Sequence, residues 1–272
     1  MDAGARSPPG RGELLKLATS SWGEEGRPLA VLVHGVTGSS GTWWRVGPWF
    51  AENGWRAVAV DLRGHGSSPR MSGGEGIGEL AGDLYETISG ELNPGAAIDV
   101  LLGHSLGALA ALKLCEARGD PAKRLVLEDP PGSEITDFEE IAAGVETDTA
   151  RAREAPDALE REQFDENPSW EGEDSAQSVA GMRECDAGPV AELIRTGLRY
   201  NLVQLVGSVD IPTLLVLGSE ERGSALPEPE RTAVANALRR GKIRAFDAGH
   251  GIHRDDFDGY VRLLNDWLGG PQ

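Results

Sequence analysis

Short apolar segments alternate with helical patterns along most of the chain. Residues 29–33 (LAVLV), 56–60 (RAVAV) and 98–102 (IDVLL) are nearly continuous apolar runs, which are typical of strands buried on both faces. Segments 43–53, 77–92 and 106–117 have helical spacing and follow these runs. Strands that alternate with helices form a mostly parallel sheet covered on both sides. The sequence therefore predicts an α/β fold with a doubly wound sheet, extended by strands at 124–127, 213–217 and 242–246 and by helices at 229–240 and near the C-terminus.

The alternation stops after Pro131 and resumes near residue 209. Between Ser133 and Glu192 there are 18 acidic residues against four arginines, with helical spacing in places and no strand run. We interpret residues 132–208 as a helical cap or lid inserted into a core formed by residues 1–131 and 209–272. The first dozen residues, rich in glycine and proline, are predicted to be mobile.

Charge and composition exclude several classes of function. The chain has 26 Lys and Arg against 44 Asp and Glu, a net charge of −18, which repels nucleic acid and anionic lipid. No apolar run approaches the roughly 20 residues of a membrane span, and the N-terminus lacks the apolar centre of a signal peptide. Cys115 and Cys185 form no CxxC pattern. We therefore expect a cytoplasmic protein with a small-molecule substrate, no nucleic-acid or membrane partner, and neither metal nor organic cofactor.

One serine stands in a tight glycine turn. Gly103-His104-Ser105-Leu106-Gly107 matches the pattern G-x-S-x-G, directly between a predicted strand and an apolar helix. The pattern alone is weak, but in this context the glycines let the strand and helix pack closely. Ser105 would lie at a helix N-terminus, whose partial positive charge stabilises a developing oxyanion. We predict that Ser105 is a nucleophile; the alternative is a serine that only caps the helix.

A serine nucleophile needs a base, and His250 is the best candidate among the five histidines. It stands between Gly249 and Gly251, just after the last predicted strand. Because ligands gather at the carboxyl ends of parallel strands, His250 can reach the edge of the sheet where Ser105 emerges. The neighbouring His253 is the histidine most easily confused with it.

These motifs together resemble the α/β-hydrolase family, in its serine-nucleophile, esterase- and lactonase-like branch. The resemblance covers residues 14–268, with segment 132–208 at the place of the family's helical cap. It implies that Ser105 is the nucleophile, that His250 is the general base, and that the amides of Val36 and Leu106 form the oxyanion hole. The motifs that carry it occur in family order: His34-Gly35, Asp61-Leu62-Arg63-Gly64-His65-Gly66-Ser67, Gly103 to Gly107, and Gly249-His250.

The acid that orients the base has two candidates. Most members of the family place it after the strand that here precedes Gly218, where this sequence offers Glu221. A minority take it from the end of the preceding strand, where this sequence has Asp129. We favour Asp129, since Glu221 could equally belong to a solvated turn. Strand alternation should direct Glu128 away from Asp129.

The resemblance implies cleavage of an ester, lactone or amide through an acyl-enzyme, because a serine nucleophile disfavours the branches that use a carboxylate. We expect a small apolar or aromatic substrate. Alternatives are a C–C hydrolase or lyase on the same fold, or a receptor without turnover. Substrate-binding candidates are Trp43, Trp44 and His34, and a roof over the serine is expected from Phe138, Phe164, Trp170 and Met182.

Overall fold

A seven-stranded sheet organises the molecule. The computed structural model describes residues 15–92, 98–133 and 137–269. The strands lie in the order β1-β3-β2-β4-β5-β6-β7, with β1 antiparallel to β3 and every other neighbouring pair parallel. The predicted mostly parallel α/β fold is confirmed. The strands are β1 Thr19–Trp22, β2 Leu29–Val33, β3 Arg56–Val60, β4 Ile98–His104, β5 Ala122–Glu128, β6 Thr213–Leu217 and β7 Gly241–Ala245.

The six parallel strands correspond to the six predicted apolar runs. Strands β2 and β6 are buried along their whole length, because helices cover both faces of the sheet. Sequence reasoning missed β1 (TSSW), whose residues are exposed or half-buried at the edge of the sheet. An edge strand of four mostly polar residues carries no apolar run that could reveal it.

Helices between the first strands alternate with them as predicted, and two of the predicted helices are interrupted. They are α1 Val46–Glu52, α2 Ile77–Thr87 and α3 Leu106–Arg118. The helix predicted over 43–53 divides into a 3₁₀ turn, Ser40–Trp43, and α1. The helix predicted over 77–92 continues past α2 as a π turn, Ile88–Leu92. Helix α3 is buried on nearly all sides, as its apolar sequence requires.

The described residues between β5 and β6 form helices joined by short loops and contain no strand. Its elements are α4 Phe138–Glu154, α5 Pro156–Glu166, α6 Gly172–Glu184, α7 Ala187–Glu192, the π turn Leu193–Gly197 and α8 Leu202–Ser208. Helix α4 packs against α6 and α7, and α6 also contacts the Ser40–Trp43 turn. The helices of this segment therefore pack mainly against one another, with a further contact from α6 to the turn after β2.

After α8, the described part of the chain forms three further α-helices: α9 Glu230–Ala237, α10 Ile252–Asp255 and α11 Phe257–Leu268. Side chains of β2 divide the core between the two faces of the sheet, with Val31 and Val33 on the face of α2 and α3, and Ala30 and Leu32 on the face of α1 and α11. Among the described residues, no helix is long and apolar enough to cross a membrane. The dozen N-terminal residues predicted to be mobile lie outside the described part of the chain.

Candidate active site

Ser105 lies in a strained turn where β4 passes into α3. Its φ is +52°, a value that residues other than glycine rarely adopt. A Cβ at Gly103 would overlap the backbone of Gly107, and one at Gly107 would overlap the carbonyl oxygen of Val33. Only glycine therefore allows β4, α3 and β2 to approach this closely. The Ser105 N–H donates to the carbonyl of Glu128 at 2.9 Å, which ties the turn to β5.

His250 is paired with a buried carboxylate. Its Nδ1 lies 2.7 Å from Asp129 Oδ2. Three further groups donate to the Asp129 carboxylate: Gly218 N at 3.1 Å, Ser224 Oγ at 2.6 Å and Ala225 N at 2.7 Å. Burial alone would raise the pKa of Asp129, but the hydrogen bond and charge of His250, helped by Ser224 and Ala225, hold it below the ordinary value. Asp129 is therefore an ionised acceptor that fixes the orientation of His250.

Glu221, the other candidate acid, lies elsewhere. It is exposed in the short 3₁₀ turn Glu220–Arg222, and none of its hydrogen bonds or ion pairs within the described residues involves His250. Of the two carboxylates weighed from the sequence, Asp129 is the one that contacts His250.

A second histidine–carboxylate pair lies behind the first. Oε1 of Glu128 accepts from His253 at both the backbone N, at 2.9 Å, and Nδ1, at 2.8 Å. Both side chains are buried. Burial would raise the pKa of Glu128, yet the charge and hydrogen bonds of His253 lower it to about 2. Sequence reasoning directed Glu128 away from Asp129 but assigned it no partner, because its contact with His253 spans 125 positions of the chain.

His104 separates the two pairs. Its ring centroid lies 4.7 Å from that of His250 and 5.3 Å from that of His253. Its Nε2 donates to the carbonyl of His250 at 3.0 Å. Burial lowers the pKa of His104 to about 3, so the ring is neutral at physiological pH. The residue before the serine thus anchors the loop that carries His250.

Two cavities meet at this centre. An apolar cavity of about 240 Å³ is lined by Ser105, His250, Val36 and Leu106. A more polar cavity of about 540 Å³ shares Val36 and His250 with it. The apolar cavity brings together the serine, the histidine and both residues proposed for the oxyanion hole. Its apolar wall consists of Leu109, Phe138, Ile141, Ile194, Leu198 and Tyr200.

The two tryptophans expected to bind substrate line neither cavity. Trp43 is fully buried in the core, with its ring 4.7 Å from that of His253. Trp44 donates from Nε1 to Asp174 Oδ1 at 2.8 Å, which links the turn after β2 to α6. The expectation followed from their place after the Val36 loop, but the 3₁₀ turn at residues 40–43 carries both side chains away from it.

His34 also has a structural environment. Its Nε2 accepts from Leu62 N at 3.0 Å, and its Nδ1 donates to the carbonyl of Gly35 at 2.7 Å. Burial lowers its pKa, which keeps the ring neutral. His34 is absent from the lining of both cavities and shapes the turn that leads to Val36.

The expected roof residues divide between the cavities. Phe138 lines the apolar cavity, whereas Trp170 and Met182 line the polar one. Phe164 is 45% exposed and lines neither. Sequence reasoning missed Arg254, which lies in the polar cavity four residues after His250.

Comparison with known proteins identifies the family. A family model described as "Alpha/beta hydrolase family" matches residues 30–263. The chain belongs to the α/β-hydrolase family. The resemblance carried by its motifs is thereby confirmed, together with the fold that it implied.

Named members of the α/β-hydrolase family differ in activity. The chain is 26% identical to an sn-1-specific diacylglycerol lipase of Mus musculus, over 90% of this chain and 82% of the lipase. It is 28% identical to the N-formylmaleamate deformylase of Pseudomonas putida, over 92% of this chain and 91% of the deformylase. The structure of an esterase from Exiguobacterium antarcticum superposes with a TM-score of 0.74 at 18% identity, covering 94% of this chain and 96% of that one, which shows a shared fold.

Proposed function

We propose that this α/β hydrolase cleaves an ester, lactone or amide of a small substrate through a serine acyl-enzyme. One observation carries the proposal. His250 is held by Asp129 at 2.7 Å and lines the same cavity as Ser105. Nucleophile, base and orienting acid are the three parts that acyl transfer from serine requires.

In the first half of the reaction, His250 removes the proton of the Ser105 hydroxyl as that oxygen attacks the substrate carbonyl. Nδ1 of His250 is engaged by Asp129, so Nε2 is the nitrogen that accepts the proton. The ionised Asp129 stabilises the imidazolium that forms. His250 then gives the proton to the leaving alcohol or amine, and the acyl group remains on Ser105.

The amides of Val36 and Leu106 stabilise the oxyanion in this proposal. Leu106 follows Ser105 at the N-terminus of α3, where the helix dipole favours negative charge. Val36 lies in the loop after β2, whose Gly35 closely approaches the Ser105 side chain. Water activated by His250 then cleaves the acyl-enzyme and regenerates the hydroxyl.

The apolar cavity favours a small apolar or aromatic acyl group. The cavity has a volume of about 240 Å³ and is bounded by Phe138, Leu109 and Ile194, so an acyl group bound in it would be removed from water. Relatives named as a lipase and a deformylase are consistent with acyl transfer to water.

We assign residues 132–208 as a cap in this proposal. Phe138 and Ile141 of α4 and Ile194 of the π turn belong to this segment, and all three line the cavity that holds Ser105. A substrate would therefore lie between the sheet edge and these helices.

Labelling with a fluorophosphonate probe tests the proposal. The wild type is expected to be labelled and to hydrolyse p-nitrophenyl esters of two to eight carbons, whereas Ser105→Ala should lose both properties. Ser67→Ala, at an exposed serine outside both cavities, is the matched control and should keep them. Folded protein that is neither labelled nor active on any of these esters would contradict the proposal and favour the receptor. Labelling without ester turnover would favour the C–C hydrolase or lyase.

A further inference from the structure

The polar cavity contains an arginine without a carboxylate partner. Nη2 of Arg254 donates to Thr42 Oγ1, and the guanidinium carbon lies 4.9 Å from the centre of the Trp170 ring. Its Nε is buried and has no hydrogen-bond partner within the described residues. Nor does Arg254 form an ion pair with any described carboxylate. Arg254 as a whole is half-buried, but a buried guanidinium N–H left without an acceptor is costly unless a ligand completes its environment.

The acidic groups nearest to Arg254 are committed to other donors. Asp255 accepts from Trp170 Nε1 at 2.7 Å and from Gly249 N at 2.5 Å. Asp174 accepts from Trp44 Nε1 and pairs with Arg45 at 3.8 Å. The negative charges of these carboxylates favour the charged guanidinium, but none of them accepts a hydrogen bond from its Nε.

The remaining acid of this neighbourhood, Glu128, is bound to His253. Burial lowers the pKa of Arg254, against which the charges of Asp174, Glu128 and Asp255 act. Arginine nevertheless stays protonated in proteins. Arg254 is thus a permanent positive charge in a cavity next to His250.

The position of the polar cavity defines which part of a substrate would reach Arg254. Both cavities share Val36 and His250, so a scissile carbonyl at Ser105 lies between them. If the acyl group occupies the apolar cavity, the alcohol or amine lies in the polar cavity, on the side of the base that protonates it. Thr42, Trp170 and Arg254 then face the leaving group.

We propose that Arg254 binds a carboxylate on the leaving group of the substrate. This inference rests on the proposed function and narrows it to esters or amides of small apolar acids whose alcohol or amine part carries one carboxylate. The planar guanidinium suits a carboxylate because two of its N–H groups can bind both oxygens. One carboxylate is favoured over several, because Glu166 at the cavity rim and the net charge of −18 repel polyanions.

A matched pair of esters tests the assignment. The butanoyl ester of 3-hydroxybenzoate and that of 3-hydroxybenzamide share an acyl group and differ in the charge of the leaving group. Wild-type enzyme should favour the benzoate in kcat/KM by about 10- to 100-fold, the range of a charged hydrogen bond. Arg254→Gln should reduce this ratio to near unity, and Arg254→Lys, which keeps the charge without the planar fork, should give an intermediate value. The ratio is decisive because a purely structural role would lower both rates alike.

Two control variants isolate the position of the charge. Arg262→Gln removes one positive charge from an exposed position of α11 and should leave the ratio unchanged. Arg222→Gln removes a positive charge that lines the same cavity. If this variant lost the preference for the benzoate ester while Arg254→Gln kept it, the assignment to Arg254 would be overturned. Turnover of both esters without preference would overturn the inference and leave the proposed function standing. Absence of turnover and of Ser105 labelling would overturn both.

Discussion

Neighbouring residues at the end of β5 build two histidine–carboxylate pairs that have the same chemistry and different surroundings. The His250 side chain of the Asp129 pair is 37% exposed and lines both cavities, whereas the His253 side chain of the Glu128 pair is 2% exposed. Glu128 is the last residue of β5 and Asp129 the first residue after it, and the two carboxylates bind different histidines. A hydrogen-bonded imidazole can transfer a proton to substrate only where substrate can reach it. The difference in access, not in pairing, distinguishes a base from a core contact.

The pairs also differ in backbone conformation. Asp129 has φ +42°, a strained value for a residue with a side chain, while Glu128 is still part of the regular strand. The turn away from the strand presents Asp129 to four donors from three separate segments, Gly218, Ser224–Ala225 and His250. Of the two pairs, the Asp129–His250 pair at the cavities is therefore the one whose carboxylate residue has a strained backbone.

The largest expected effect comes from Asp129→Asn. The amide can no longer hold His250 in the tautomer that accepts the serine proton, so kcat should fall by about 10⁴-fold. Steady-state hydrolysis of a p-nitrophenyl ester measures this loss. Glu221→Gln, at the other candidate carboxylate, should change kcat by less than a few-fold; a loss confined to Glu221→Gln would transfer the role of the acid to that residue.

Substitution of Glu128 by leucine should give the reverse pattern. The change leaves two donors of His253 buried without an acceptor, so the free energy of unfolding should fall by about 3–5 kcal/mol. Because His250 keeps its own partner, kcat per folded molecule should fall less than tenfold. Urea denaturation together with active-site titration separates the two quantities. If Asp129→Asn and Glu128→Leu lowered kcat to the same extent and also lowered the free energy of unfolding to the same extent, the two pairs would act as a single unit.

The smallest effect concerns His104, the neutral ring between the pairs. Its pKa, lowered by burial to about 3, is below the ordinary value of 6.5, so the unfolded chain binds more protons between these pH values. Its contribution to stability is complete above pH 6.5 and is lost as the pH falls toward 3, by at most about 1.4 kcal/mol per pH unit.

His104→Gln keeps a donor near the His250 carbonyl and removes the titrating group. Its free energy of unfolding, measured in urea from pH 7 to pH 4.5, should therefore decline less steeply than that of the wild type. Parallel curves for the two proteins would show that His104 is not kept neutral by the fold.

Sequence reasoning predicted the parts of the molecule that follow from local chemistry. Strands such as LAVLV could be predicted because their residues are continuously apolar. The turn around Ser105 could be predicted because a close approach of strand and helix requires its glycines. The choice between Asp129 and Glu221 needed the structure, because loop conformation after β6 decides which carboxylate meets His250. For Trp43 the sequence left open a contact with substrate or a place in the core; the side chain is fully buried at the end of a 3₁₀ turn of four residues.

Features that depend on contacts between distant segments could not be predicted from the sequence. Arg254 has significance only because Thr42 and Trp170, which come from separate parts of the chain, surround it. The partner of Glu128 lies 125 positions further along the chain. No local sequence pattern predicts such a contact, because it depends on which strand ends lie close together in the fold.

The hydrogen bonds of Asp255 connect the segment between β5 and β6 to the loop that carries His250. Trp170, in that segment, donates to one oxygen of this carboxylate, and the amide of Gly249 donates to the other. Gly249 immediately precedes His250. Two consecutive hydrogen bonds through one carboxylate therefore tie Trp170 to the backbone just before His250, so the conformation of that loop depends on contacts with the segment between β5 and β6.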